Sequence, residues 1–151
     1  MVDILKPSSG RKKDPFKWVI SGVNGVGKTT LCTQMPKPLF IDLEGGTGYL
    51  DVNRLEAKTY ADVLDIFNQI KEKDHEYKTV VLDSLDWFET IMEESIVAEA
   101  AQKKMGIEDI ADIPNFRGYS LSQSKMKSFL NLCSEVVQTG VNIALICHTA
   151  P

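Results

Sequence analysis

The stretch that most constrains the fold of this chain follows an apolar run at residues 16–21 and precedes a segment, residues 29–34, that can open as a helix. It fits the pattern G-x-x-x-x-G-K-[S/T], in which glycines let backbone N–H groups turn inward and the helix start adds unpaired donors. The pattern predicts a phosphate-binding loop; the alternative is a glycine-rich turn that only connects two elements. The predicted nucleotide-binding residues are Gly22, Val23, Asn24, Gly25, Val26, Gly27, Lys28, Thr29 and Thr30.

Three side chains in and beyond this loop predict a site for ATP and Mg²⁺. Lys28 supplies a positive charge for the β- and γ-phosphates, and the hydroxyl of Thr29 can ligate the metal. A β-branched apolar run at residues 78–82 ends in Asp83, which would hold Mg²⁺ opposite Thr29. Apolar runs that end in aspartate are common, so this signal gains its weight from the phosphate-binding pattern upstream.

Composition restricts the remaining possibilities. The chain has 151 residues, of which 43% are hydrophobic, as expected for one soluble domain with a core of its own. Its net charge of −4 means that any contact with nucleic acid would have to come from a local patch. Three cysteines without C-x-x-C spacing predict reduced thiols in a cytoplasmic compartment. The absence of a long apolar run or a signal-peptide pattern predicts an intracellular protein without a membrane partner.

Apolar runs alternate with amphipathic segments along the chain. This alternation predicts an α/β fold whose parallel strands, including the first, are covered on both faces. Residues 1–15 are predicted to be a flexible basic segment, and residues 16–151 to form the folded core. The predicted strands are residues 16–21, 39–43, 78–84 and 141–147; the predicted helices are residues 29–34, 59–73, 86–104 and 121–139, with an irregular stretch at 106–119.

Two further polar side chains follow predicted strands. Glu44 comes just after the second strand and His148 just after the fourth. Ligands of open α/β sheets collect at the carboxyl edge of the strands, so both side chains are expected near Lys28 and Asp83. A histidine at that edge is a candidate for sensing the γ-phosphate.

Four other residues have weaker signals. His75 is predicted to be a solvated turn residue, and Trp87 to pack under the sheet edge rather than to stack on a base. Arg117 is either a charge clamp or plain surface. Tyr49 is a candidate for stacking on adenine, although no motif supports it.

The motifs together resemble the nucleotide-site elements of the RecA-type ATPases. In detail, "PKPLFIDLEGGT" and "YKTVVLDSLDWFE" are similar to the phage-encoded, core-only RecA-like proteins of the Sak single-strand annealing group, which are phage AAA or nucleotide-binding proteins. The resemblance implies that Glu44 is the carboxylate that activates the attacking water. It also implies that His148, at a position where RecA itself usually has glutamine, senses the γ-phosphate and leads into a DNA-binding loop.

The resemblance also implies an architecture. This is a three-layer P-loop NTPase fold, a RecA-like core with parallel sheet order 1-4-3-2 in the numbering of the four predicted strands. RecA-type cores carry a fifth strand outside the first strand. That strand and the second DNA loop have no counterpart in the sequence, so we expect either a C-terminally truncated core or an unusually minimal protein, in both cases with the first strand as an exposed edge.

The function implied by the resemblance is ATP binding and hydrolysis in phage DNA recombination or single-strand annealing. The implied partners are single-stranded DNA, further copies of the chain in an oligomer or filament, and a single-strand-binding protein, in the host cell cytoplasm. An isolated protomer is expected to be a slow Mg²⁺-dependent ATPase, stimulated by DNA in its full-length form. The alternatives are a small-molecule kinase acting on nucleotides, disfavoured by the scarcity of arginines for a lid, and a nucleotide-gated assembly factor without useful turnover.

Overall fold

The structure, a computed structural model, describes residues 9–10, 14–103 and 105–149. In this part of the chain, a parallel sheet has helices on both of its faces. The strands are β1 (Lys17–Gly22), β2 (Pro38–Asp42), β3 (Asn53–Glu56), β4 (Thr79–Asp83) and β5 (Asn142–His148). The helices are α1 (Lys28–Thr33), α2 (Tyr60–Glu72), α3 (Leu85–Ala101) and α4 (Arg117–Gln138), with 3-10 helices at Ile110–Asp112 and Pro114–Phe116.

The strand order is β1-β5-β4-β2-β3, and every pair of neighbours is parallel. For the four predicted strands this is the order 1-4-3-2, so the predicted order is confirmed. Strand β3, of sequence Asn-Arg-Leu-Glu, is short, has no apolar run and was not predicted. It lies outside β2, on the opposite side of the sheet from the fifth strand that the resemblance implies.

Side chains that alternate along the central strands build two cores. On β4, Val80 and Leu82 pack in the cluster that includes Phe67 of α2, whereas Val81 packs in a smaller cluster with Cys32 of α1. Successive residues of a strand face opposite sides of the sheet, so an uninterrupted apolar strand needs a helix layer on each face. The result is the predicted three-layer α/β fold, consistent with a P-loop NTPase.

Helices α3 and α4 form an antiparallel pair. Phe88 packs on Phe129 with ring centroids 4.1 Å apart, and further along α3 Glu99 lies 2.9 Å from Lys125, which is nearer the start of α4. Helix α4 enters β5 through a short turn, so it runs antiparallel to the strands. Helix α3 begins just after β4; Phe88 and Met92 in its first half pack in the larger core cluster, and Ile96 packs in a separate cluster with the 3-10 region.

Strand β1 was predicted to be covered on both faces, and this prediction is wrong. Trp18 is 51% exposed and Val19 is 60% exposed. Within the described residues β1 has a strand neighbour only in β5, which makes it the edge of the sheet. The expectation of an exposed first strand, drawn from the resemblance, is the correct one.

The remaining differences from the sequence analysis concern element boundaries. Helix α4 begins at Arg117 inside the stretch predicted to be irregular, and two 3-10 helices precede it. Helix α3 ends at Ala101, before the predicted residue 104. Most of the predicted basic segment, residues 1–8 and 11–13, lies outside the described residues. Across the described ranges, no helix combines the length and the apolar character needed to cross a bilayer.

Candidate functional site

Strand register brings the predicted site residues to one edge of the sheet. Gly22 at the end of β1 pairs with His148 of β5, and Asp42 at the end of β2 pairs with Asp83 of β4. Parallel strands that end in register place whatever follows them side by side. The loop after β1, Glu44 after β2, and the ends of β4 and β5 therefore meet although they are far apart along the chain.

The glycine-rich loop wraps around the lysine ammonium. Gly25 and Gly27 adopt left-handed backbone conformations, with φ of 76° and 95°, which side chains other than glycine rarely accept. Lys28 is 7% exposed, and its Nζ donates hydrogen bonds to the carbonyl oxygens of Gly22 at 2.7 Å and Val23 at 2.9 Å. The positive charge is thus held among the loop residues predicted to bind phosphate.

The two predicted metal ligands are in direct contact. The Thr29 hydroxyl donates a hydrogen bond of 2.8 Å to Oδ2 of Asp83. Burial raises the pKa of Asp83, and the charges of Glu44 and Asp42 raise it further, while Thr29 and His148 act in the opposite direction. A bound cation would favour the ionised carboxylate in these surroundings.

The donor set fits a magnesium ion bound together with a nucleotide. One hydroxyl and one carboxylate are oxygen ligands, as Mg²⁺ prefers, and Mg²⁺ commonly takes its other ligands from phosphates and water. Among the described residues, no group of three or more His, Cys, Asp or Glu side chains is arranged to hold a metal ion by itself. The site therefore suits a metal that arrives with its phosphate ligands.

The loop that carries Glu44 is fixed by a buried carboxylate. Oδ1 of Asp42 accepts hydrogen bonds from the backbone N–H groups of Glu44, Gly45 and Gly46, and Oδ2 accepts from the N–H and the hydroxyl of Thr47. Burial acts to raise the pKa of Asp42, but the bonds from Thr47, Gly45 and Gly46 outweigh it and lower the pKa. The ionised carboxylate holds the loop in one conformation.

The Glu44 side chain lies between β4 and β5. The hydroxyl of Ser84 donates a hydrogen bond to Glu44 Oε1, and Nδ1 of His148 lies 3.8 Å from the same oxygen. Ser84 follows Asp83 through a cis peptide bond. The side chains of Glu44 and His148 are only 30% and 27% exposed, so both are partly buried but still reachable by a ligand.

Two further side chains, those of Ser84 and Asp86, contribute to this site and were not predicted to. Oδ2 of Asp86 accepts a hydrogen bond of 2.7 Å from the backbone N–H of His148 and lies 3.3 Å from its Nδ1. Their only signal in the sequence is their position immediately after the acidic end of β4. The two contacts of Asp86 with His148 do not follow from a local sequence pattern, because these residues are 62 positions apart.

The weaker candidates lie apart from this cluster or are placed differently from their predictions. Trp87 is 48% exposed rather than packed under the sheet edge, because its neighbour Phe88 takes the buried position. His75 is half-buried rather than solvated: its Nε2 lies 3.0 Å from the Ile70 carbonyl oxygen, and its Nδ1 has no partner among the described residues. Tyr49 and Arg117 are exposed.

The cysteines are free thiols in the described structure. Burial raises the pKa of Cys32 and of Cys133 to about 12, and it also raises the pKa of Cys147. A thiol reacts as its thiolate, so these cysteines are poor nucleophiles at neutral pH. They give no support to cysteine chemistry at the site.

Comparison with known proteins identifies the family. A family model described as an AAA domain matches residues 14–150, which is most of the 151-residue chain. The chain belongs to this AAA domain family. Membership makes it a nucleotide-binding ATPase in general terms. A comparison with curated proteins found no match to this AAA domain.

Proposed function

We propose that this AAA domain is an Mg²⁺-dependent, RecA-like ATPase that acts on single-stranded DNA in phage recombination or strand annealing. The observation that carries the proposal is the position of Glu44 beside His148, at the sheet edge that also holds Lys28 and Asp83. A carboxylate and a polar side chain after these two strands are the features that the RecA-type resemblance assigns to catalysis and to sensing of the terminal phosphate.

The site residues have distinct roles in the proposed hydrolysis. Lys28 binds the β- and γ-phosphates in exchange for its present partners, the loop carbonyls. Thr29 and Asp83 would hold Mg²⁺, which would offset the negative charge of the phosphate oxygens. Glu44 orients the attacking water and accepts its proton, and His148 contacts the γ-phosphate.

The proposed partners follow from the resemblance. The segments "PKPLFIDLEGGT" and "YKTVVLDSLDWFE" support a phage annealing protein in the host cytoplasm, working as an oligomer or filament and alongside a single-strand-binding protein. The net charge of −4 requires any DNA contact to be local. If a neighbouring copy completes the site, the isolated protomer lacks part of it and hydrolyses ATP slowly.

An ATPase assay with and without single-stranded DNA, run beside an annealing assay with complementary strands, tests the proposal. We expect slow Mg²⁺-dependent phosphate release, stimulation by single strands, and annealing by the same preparation. Phosphate transfer to a nucleoside would instead identify a kinase. Nucleotide binding without hydrolysis, in the presence or absence of DNA, would identify an assembly factor.

Glu44→Gln is the matched variant for these assays, since it keeps the size of the side chain and its contact with Ser84. Hydrolysis that persists in this variant would come from a contaminant or from a different base.

A further inference from the structure

The contacts around His148 include a carboxylate outside the proposed machinery. Oδ2 of Asp86 accepts a hydrogen bond of 2.7 Å from the His148 backbone N–H, and the same oxygen lies 3.3 Å from Nδ1 of the ring. Its other oxygen, Oδ1, lies 3.7 Å from Sγ of Cys147. One side chain at the start of α3 therefore contacts both the backbone and the ring at the end of β5.

We infer that Asp86 is a positioning residue for His148, which it holds with Nδ1 turned inward and Nε2 left for the terminal phosphate. The inference rests on the proposed function, because His148 is there the group that contacts the γ-phosphate. Asp86 itself touches no reacting atom in this arrangement.

The electrostatics of the ring favour this orientation. The carboxylates of Asp86 and Glu44 both lie on the Nδ1 side, at 3.3 Å and 3.8 Å. A lone pair on Nδ1 would face two negative charges, whereas an Nδ1 proton is attracted by both. Nδ1 therefore carries a proton, and Nε2, on the side of the ring away from the carboxylates, donates to a phosphate oxygen when it carries a proton as well. A partner that fixes one ring nitrogen determines what the other presents to a ligand.

A purely structural role for Asp86 is the alternative to be excluded. Asp86 lies in the first turn of α3, where a negative charge stabilises a helix through its dipole. The hydroxyl of Ser84, the N-cap residue, makes no capping bond and is directed to Glu44 instead. If Asp86 only stabilised the helix, its substitution would change the free energy of unfolding but not the position of the proton on the His148 ring.

The first test is a double-mutant cycle on ATP turnover. Asp86→Ala is expected to lower kcat about tenfold while the affinity for ATP changes less than about twofold, because orientation and not binding is lost. In a His148→Ala background the same substitution is expected to have no further effect. Glu89→Gln is the matched control, since it removes an exposed charge one turn further along α3. Losses in kcat that multiply in the double variant would overturn the inference.

The second test does not depend on turnover. Ring ¹⁵N chemical shifts of His148 in the nucleotide-free protein are expected to show the proton on Nδ1, and Asp86→Ala is expected to move it toward Nε2. Asp86→Asn keeps the size of the side chain and an acceptor for the backbone N–H, and it is expected to move the proton in the same direction. This variant keeps the test available if Asp86→Ala does not fold. A tautomer unchanged in both variants refutes the inference. If the Asp86 variants lose the Nδ1 proton but the wild-type protein does not hydrolyse ATP, the proposed function is refuted and the inference about Asp86 stands.

Discussion

Asp42 and Asp83 end adjacent strands in register, yet their surroundings shift their pKa values in opposite directions. Five hydrogen bonds stabilise the ionised form of Asp42, whereas burial and neighbouring charges disfavour the ionised form of Asp83. The first carboxylate contributes to the fold, and the second destabilises the nucleotide-free fold at neutral pH. Such a loss of stability is expected where a cation-binding carboxylate is buried without its cation.

Asp83→Asn is therefore expected to stabilise the nucleotide-free protein, by on the order of 1 kcal/mol in urea unfolding. The penalty that it removes is complete above the raised pKa of Asp83 and disappears as pH falls to the ordinary pKa of aspartate, so the gain is expected at neutral pH and should shrink in acid. The same variant should lose the extra stability that Mg²⁺ and ATP confer on the wild type. Asp51→Asn, at an exposed aspartate, is the control; a less stable Asp83→Asn protein would contradict the expectation.

Lys28 and Glu44 are expected to separate binding from catalysis. Lys28→Ala should weaken ATP binding roughly ten- to hundredfold, because a buried charge-assisted contact contributes about 1.5–3 kcal/mol. Glu44→Gln should leave binding within about twofold and lower kcat by roughly 10²- to 10⁴-fold, as expected for loss of a general base. Equilibrium binding of a fluorescent ATP analogue and phosphate release measure the two effects. Equal loss of binding in both variants would count against the assigned roles.

At the scale of elements, the turn after β2 depends on Asp42. Asp42→Asn keeps the shape of the side chain but replaces one acceptor oxygen by a donor, so some of the five bonds are lost. We expect the free energy of unfolding to fall by about 2 kcal/mol at pH 7. Because the pKa of Asp42 is lowered in the folded state, its contribution is complete above about pH 4 and disappears as pH falls through that lowered pKa. The gap between wild type and variant should narrow below pH 4; a constant gap would show that charge is not involved.

The junction before α4 requires a residue without a side chain. A Cβ on Gly118 would lie 2.3 Å from the Ile110 carbonyl oxygen, so the helix and the preceding 3-10 turn would have to separate. Gly118→Ala is expected to destabilise the protein by about 2 kcal/mol, despite the higher helix propensity of alanine. Gly48→Ala has no atom within 4 Å of its added Cβ and is the control. Chemical denaturation of both variants measures the change in the free energy of unfolding. A more stable Gly118→Ala protein would show that the junction can move to accept the added Cβ.

At the scale of the whole molecule, β1 combines a free strand edge with exposed apolar side chains among the residues that the structure describes. Trp18 and Val19 are more than half exposed on this strand, and Leu31 of α1 is 57% exposed nearby in the chain. Exposed strand edges pair with other chains. Val19→Lys is therefore expected to reduce concentration-dependent light scattering of the full chain, whereas Leu31→Lys, on a helix, should reduce it less. Equal effects would show that apolar area matters and the strand edge does not.

Local patterns in the sequence determined the glycine-rich loop, four of the strands and the amphipathic helices. Each of these signals lies within a few residues, where glycine conformation, apolar periodicity and helix-starting residues act directly. The resemblance added the strand order and the roles expected of Glu44 and His148, whereas their shared position at the sheet edge followed from the strand pattern. The pattern at Asn53–Glu56 is too short and too polar to predict β3, and only pairing with β2 makes it a strand.

Tertiary structure alone decided which side chains meet. The Asp86 carboxylate reaches His148 across 62 residues of chain, and Ser84 reaches Glu44 across 40. It also decided that β1 is an edge and that Trp87 faces solvent. The physical reason is that parallel pairing and helix packing join distant residues, so the field, burial and partners of a side chain depend on neighbours that its own stretch of sequence does not contain.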